Sequence, residues 1–186
     1  MALYRIVQAP FPPSTDDVSR FKEMRLAALQ VDQDMYRERY EDALKLTTEE
    51  WTSRLTSPHQ ALFSAANDME WAGMALLLSP EQLRIMNYGP PPGVLSQEEL
   101  EQEKEFWVLG SQWTRPSHRR SGIAKLLMDA SSAYLRQRGK PVLLGLETKQ
   151  ANERGRAVYR AAGFEERFTM IYSDEAPTVW MVKALE

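Results

Sequence analysis

The sequence predicts a mixed α/β fold, read as a single domain over residues 1–186, and three patterns carry that prediction. Short apolar runs alternate with stretches of helical periodicity along most of the chain. Two pairs of runs, 61–66 with 71–78 and 168–172 with 179–182, are separated by short polar breaks, as antiparallel neighbours are. A further run, 142–146, is apolar without interruption, as in a buried parallel strand, and it follows a long amphipathic helix.

Composition bounds the function. A chain of 186 residues is long enough for one sizeable core and too short for two ordinary ones, and 43% hydrophobic with 26% charged content is that of a folded globular protein. With no cysteine there is no disulfide framework, no thiol nucleophile and no route for an acyl group through an enzyme thioester. Two histidines, His59 and His118, leave little room for a metal cluster or a histidine triad, so no metal is expected. Residues 1–13 hold no apolar run long enough for a signal peptide or a membrane span, so a cytoplasmic protein is expected, monomeric or homodimeric, without a membrane partner.

The net charge of -3 conceals an asymmetry. Arg115 to Arg160 contains 11 basic against 3 acidic residues, which leaves 12 of the 23 basic and 23 of the 26 acidic residues for the rest. A basic segment on an acidic body suits a small polyanion and argues against a long nucleic acid. Arg136, Arg138, Arg156 and Arg160 read as solvated helix-face charges, and Arg119 and Arg120, beside a glycine, as ligand contacts.

In chain order, residues 4–7 alternate as a short strand that ends at Pro10-Phe11-Pro12-Pro13. Ser14 and Thr15 with Asp16 and Asp17 start a helix whose apolar face is Val18, Phe21, Met24, Ala28 and Leu29. Residues 35–46 are expected to be helical, and Thr47 with Glu50 forms a capping box ahead of Trp51 and Leu55. Strands 61–66 and 71–78 turn at Asn67-Asp68. The stretch 79–97 contains Tyr88-Gly89-Pro90-Pro91-Pro92-Gly93, which cannot continue a central strand; this long loop either borders an acceptor site or is a surface insertion. Residues 98–104 read as a short helix or a strand start, and 106–114 as a strand that Pro116 ends.

After that strand, Arg119-Arg120-Ser121-Gly122 leads into a helix with Ile123, Leu126, Leu127, Ala130, Ala133 and Tyr134 on one face. The first turn of a helix carries unpaired N–H groups and the positive end of a dipole, and glycine lets an anion approach the main chain. Those features predict a backbone-lined pocket for a phosphate or diphosphate. Gly139-Lys140-Pro141 stops the helix, strand 142–146 follows with Glu147 at its end, and 152–162 is a helix ended by Gly163 before Phe164.

The run Thr114 to Ala124, with Arg119, Gly122 and Ala124 on the defining positions, resembles the V-x-P-x-x-R-x-x-G-x-G/A signature of the GNAT superfamily of acyl-coenzyme A dependent N-acyltransferases. The run Asn152 to Phe164 resembles its N-x-x-A-x-x-x-Y-x-x-x-G-F element, with Tyr159 at the matching offset. Three positions depart: Thr114 stands for the usual valine, Gly155 for the usual alanine, and Val108 where many members carry a strand glutamate. The resemblance implies a GNAT-like mixed, mostly antiparallel central sheet with a splayed parallel strand pair, flanked by helices. It implies acetyl-CoA as co-substrate, with Gln112, Trp113 and Thr114 giving main-chain contacts to the pantetheine arm. Arg119, Arg120, Ser121, Gly122, Ile123, Ala124 and Lys125 would surround the diphosphate, and the Asn152 amide would hold the pantetheine.

The implied reaction moves an acetyl group from acetyl-CoA to a small-molecule amine or peptide acceptor by direct attack in a ternary complex. Glu147 lies where ribosomal-protein N-terminal acetyltransferases of the superfamily place a proton acceptor, and Tyr159 would donate to the leaving thiolate. Plain structural alternatives stand beside these roles: a surface carboxylate paired with Lys149 or an arginine for Glu147, a packing aromatic for Tyr159, a core aromatic for Trp113 and a helix cap for Asn152. An alternative function, a catalytically inactive module that binds acyl-CoA as a regulatory ligand, takes its support from Val108. A nucleic-acid or phosphopeptide binder using the basic segment is the remaining rival, and its binding would fall steeply with salt.

Overall fold

Alternation of short apolar strands with capped amphipathic helices produces seven strands and seven α-helices among the described residues, which in the computed structural model are 4–67, 69–102, 104–172 and 176–185. Strand β1, Arg5–Gln8, pairs antiparallel with β2, Gln60–Ala66. Between them lie helices α1 (Thr15–Val31), α2 (Tyr40–Leu44) and α3 (Thr48–Ser53). The expected face of α1 is buried, and capping boxes from Ser14 to Asp17 and from Thr47 to Glu50 start α1 and α3. The helix expected over 35–46 is shorter. A 3-10 turn, Gln33–Met35, precedes α2, because the Gln33 side chain bonds the Glu38 carbonyl and the Tyr40 amide, taking main-chain groups that a continuous helix would use.

Strand β3, Trp71–Leu78, is buried on both faces. Its turn from β2 is set by Asn67, whose Oδ1 accepts from the amides of Met69 and Glu70; Asp68 lies outside the described residues. The stretch 79–97 is not wholly loop. Ser79 caps α4, Pro80–Ile85, with proline in the first turn, and Ser96 with Glu99 boxes the start of α5, Gln97–Glu101. Glu103, in the segment read as helix or strand start, is also outside the described residues.

Strand β4, Glu105–Thr114, leads through a 3-10 turn, Pro116–His118, into α6, Ile123–Arg136. Then come β5 (Val142–Lys149), α7 (Glu153–Ala161), β6 (Glu165–Met170) and β7 (Thr178–Leu185). Strand β5 runs past the expected end at 146, so Glu147 sits within it, opposite Trp180 of β7. The final antiparallel pair is present as β6 and β7, with its first strand starting earlier than expected; Ser173, Asp174 and Glu175 of the connection lie outside the described residues.

The sheet is mixed and mostly antiparallel, in the order β1-β2-β3-β4-β5-β7-β6, with β4 and β5 as its parallel pair. That pairing runs from Glu105 opposite Val142 to Val108 opposite Gly145 and stops, although both strands continue, and beyond it β5 is paired along β7. Ser111, at φ +50°, breaks the regular geometry of β4 just after the pairing ends. The chain forms two compact units, one of residues up to Leu77 with Ser111–Ala130, the other of Leu78–Gly110 with the residues from Ser131 onward.

Candidate active site

In the first unit the loop between β4 and α6 is built on internal ion pairs. Arg115 donates from Nε to the Trp71 carbonyl at 2.8 Å and pairs with Glu70 and Glu23. His118 lies between Tyr4, whose hydroxyl is 2.9 Å from Nδ1, and Glu70, 3.0 Å from Nε2. Asp32, just past α1, accepts from Trp113 Nε1 at 2.7 Å and also pairs with Arg119, whose Nε donates to the Thr114 carbonyl at 3.1 Å. The Trp113 ring is thus a core aromatic, and the Arg119 guanidinium braces the loop on which it sits. Gln112 Nε2 donates to the carbonyl of Ala124 in the first turn of α6, at 3.1 Å.

This bracing leaves the turn itself open. Arg120 and Gly122 have φ of +65° and +80°, and a Cβ built on Gly122 would meet nothing within 4 Å. Leu126 donates its amide to the Gly122 carbonyl at 3.0 Å, whereas the amides from Arg120 to Lys125 have no acceptor among the described residues. Arg120 and Ser121 are exposed, Ile123 is buried as the foot of α6, and Lys125 pairs with Asp129 one turn on. Gly73 of β3 lets α6 start this close, since a Cβ there would lie 2.7 Å from Ile123 Cγ2 and 3.1 Å from the Trp113 carbonyl oxygen. A run of unpartnered N–H groups at the positive end of a 14-residue helix can receive an anion.

In the second unit Glu147 is half-buried, with each carboxylate oxygen held by a hydroxyl. Thr178 donates to Oε1 at 2.6 Å and Tyr88 to Oε2 at 3.0 Å. Tyr88 stacks at 5.7 Å on Trp180, which is fully buried and also packs at 6.2 Å on Phe106. Tyr88 and Phe106 also line a groove of about 500 Å³ with Pro80, Leu83, Arg84 and Pro90. The 79–97 stretch therefore reaches the neighbourhood of Glu147 through Tyr88.

Asn152 caps α7: its Oδ1 accepts from the Gly155 amide at 3.0 Å and its Nδ2 donates to Thr148 Oγ1 at 3.0 Å. Gly155 is matched to this arrangement, because a Cβ there would lie 2.4 Å from Asn152 Nδ2. Tyr159 packs edge-on against Phe164 with ring centres 6.1 Å apart, and burial of its hydroxyl pushes the phenol up to about 12.

The model of the acetyltransferase (GNAT) family matches residues 25–164 of the chain. The chain belongs to this family. GNAT members are acyl-coenzyme A dependent N-acyltransferases, so the chemistry of this chain is acyl transfer from an acyl-CoA to an amine. No curated protein matches it. Solved structures share the fold. A GNAT acetyltransferase from Streptococcus pneumoniae superposes with a TM-score of 0.71 at 15% identity, over 98% of this chain and 100% of its own. The ribosomal-protein-S18-alanine N-acetyltransferase of Escherichia coli gives 0.61 at 15%, over 99% and 95%. A ribosomal L7/L12 α-N-protein acetyltransferase in complex with coenzyme A gives 0.67 at 13%, over 97% and 94%.

Within this GNAT chain the stretch from Gln112 to Lys125, which holds the first motif, belongs to the first unit, and Glu147 and the second-motif residues Asn152 and Tyr159 belong to the second. Sequence reasoning missed Asp32, Glu70, Tyr88 and Thr178, whose partners are 31 to 87 positions away along the chain. Only Tyr88 carried a local signal, its place at the head of the proline-rich break.

Proposed function

We propose that the chain is one acyltransferase domain that moves an acetyl group from acetyl-CoA to an amine by direct attack in a ternary complex. The observation that carries this reading is the row of unpartnered amides from Arg120 to Lys125 beside an open Gly122, which fits the diphosphate of the coenzyme. An exposed Arg120 adds charge there, and Arg119 holds the loop in shape. Main-chain groups of Gln112, Trp113 and Thr114 would run along the pantetheine, and an amide near Thr114 would receive the oxyanion of the tetrahedral intermediate.

Glu147 takes the proton that the attacking amine must lose. Hydroxyl donors on both of its oxygens, Thr178 and Tyr88, orient the carboxylate. When the intermediate collapses, the carbon–sulfur bond breaks and the electron pair leaves on sulfur. A coenzyme thiolate, with a thiol reference pKa of about 8.5, is a weaker base than the Tyr159 phenolate. A phenol raised to about 12 therefore supports the departing sulfur by hydrogen bonding, without giving up its proton. The direct route agrees with the absence of cysteine.

The test is a thermal-shift titration with acetyl-CoA followed by an amine panel read by thiol release. The coenzyme should raise the melting temperature, since it binds only the native state. Glu147→Gln should then abolish most turnover with little change in that shift, and Tyr159→Phe should lower kcat while coenzyme binding holds. A melting temperature unmoved by millimolar acetyl-CoA refutes the reading.

A further inference from the structure

We infer that the groove lined by Tyr88 and Phe106 is the acceptor subsite, and that it selects a primary amine carrying an apolar or aromatic flank. The inference rests on the proposed role of Glu147 and goes beyond it by assigning a place and a chemical class to the acceptor. Tyr88 is the link. Its ring forms part of the groove wall, and its hydroxyl donates to Glu147 Oε2 at 3.0 Å. Glu147 itself does not line the groove, so the acceptor amine would lie with its flank along this wall and its nitrogen directed past the Tyr88 hydroxyl toward the carboxylate.

The lining gives the class. Pro80, Leu83, Tyr88, Pro90 and Phe106 offer apolar surface for a flank, beside polar groups from Asn87 and from the Arg84 guanidinium, which is paired with Glu81. Among the described residues no carboxylate lines the groove to receive a second ammonium group, so a polyamine gains no partner there that a monoamine lacks. The wall is stiff on its inner side. Tyr88 rests on Trp180 at 5.7 Å and Trp180 on Phe106 at 6.2 Å, and Gly145 leaves room for the Phe106 ring, which a Cβ there would approach to 2.3 Å. A volume of about 500 Å³ is in the range of small-ligand pockets.

Tyr88 then acts as a positioning residue and as a wall. With its hydroxyl it fixes one carboxylate oxygen while Thr178 fixes the other at 2.6 Å; with its ring it meets the acceptor flank. Tyr88→Phe separates the two functions, because it keeps the wall and removes the hydrogen bond. Gly89→Trp separates them in the opposite sense. A Cβ at Gly89 meets nothing within 4 Å, so the indole can fill the groove without disturbing the fold.

The experiment measures thiol release from acetyl-CoA with 2-phenylethylamine, a tripeptide amide beginning with phenylalanine, ethanolamine and spermidine. The aromatic amine or the peptide should be used at least about tenfold better, in kcat/KM, than ethanolamine or spermidine, the discrimination expected of a modest apolar pocket. Which of those two is preferred tells a free amine from a peptide N-terminus. Gly89→Trp should raise the acceptor KM about tenfold or more and leave the acetyl-CoA KM unchanged. Tyr88→Phe should lower kcat, with the acceptor KM within about twofold.

Equal use of all four amines, no use of any, or an acceptor KM indifferent to Gly89→Trp overturns the inference. Such a failure is separable from failure of the proposed function. If acetyl-CoA still raises the melting temperature, only the acceptor class falls. If Glu147→Gln keeps full turnover, the base assignment falls, and with it the inferred link through Tyr88.

Discussion

Replacing Gly122 by alanine separates a structural role for the β4–α6 turn from a ligand-binding one. The residue has φ +80°, where an L side chain is strained, so Gly122→Ala should cost about 1–2 kcal/mol. For a chain of this size that lowers the melting temperature by about 2–8 °C, at roughly 2–4 °C per kcal/mol. The added methyl meets no protein atom within 4 Å, so packing contributes nothing further. The space it takes is the approach to the amides of Arg120 to Lys125. Coenzyme at a hundred times its Kd stabilises the native chain by about 2.7 kcal/mol, a rise of about 5–11 °C. If the methyl weakens binding about a hundredfold, the same concentration stabilises by only about 0.4 kcal/mol, a rise of about 1–2 °C. Gly139→Ala is the control. Gly139 follows α6, has φ +67°, and its Cβ also meets nothing within 4 Å, so it carries similar strain without facing the amides. The assay is a thermal melt of both variants with and without acetyl-CoA. Equal coenzyme-induced rises in the two variants would refute the diphosphate role of the turn.

Gly155→Ala restores the residue usual in the second motif, yet it should destabilise. About 1 kcal/mol of helix propensity is gained, but the Asn152 side chain must leave a position 2.4 Å from the new Cβ; its cap and its bond to Thr148 are worth about 1 kcal/mol each, so a urea melt should show a net loss of about 1 kcal/mol. Gly73→Ala places a Cβ 2.7 Å from Ile123 Cγ2 and should cost about 1–3 kcal/mol by overpacking, with weaker coenzyme binding because Ile123 opens α6. Burial raises the Tyr159 phenol from 10.0 to about 12, so the unfolded chain ionises first as pH rises. This group's contribution to stability is therefore complete below pH 10 and lost between pH 10 and about 12, and Tyr159→Phe should flatten that part of a stability-versus-pH curve.

What the sequence made legible was local. The α1 face, the Thr47–Glu50 box, the β2 and β3 runs and the loop into α6 all follow from spacing within one element, and each is present. The caps of α4 and α5, at Ser79 and Ser96, are equally local, but the run of prolines that follows Gly89 masks them in the sequence. The helix expected over 35–46 failed for a different reason. Glu38 pairs with Arg25 of α1 and with Arg54 after α3, and such partners, 13 and 16 positions away, are invisible to periodicity. The same limit hid Tyr88 and Thr178 as the partners of Glu147, and Asp32 as the anchor of Arg119.

Two departures from the motifs have physical counterparts in the fold. Gly155 in place of alanine is matched by an Asn152 side chain that occupies the space of the missing methyl, so cap and glycine depend on each other. Val108 in place of a strand glutamate is 2% exposed and is the last residue of β4 paired with β5. A carboxylate at that point would be desolvated, at a cost that must be offset by charge pairing or hydrogen bonds. Glu147 stands two residues beyond Gly145, the partner of Val108, where β5 is no longer paired with β4 and two hydroxyls meet the carboxylate. A carboxylate there keeps its hydrogen bonds and part of its hydration. Val108 therefore weighs less for an inactive binding module than it did in the sequence, because this chain has a better-solvated position for a base one strand away.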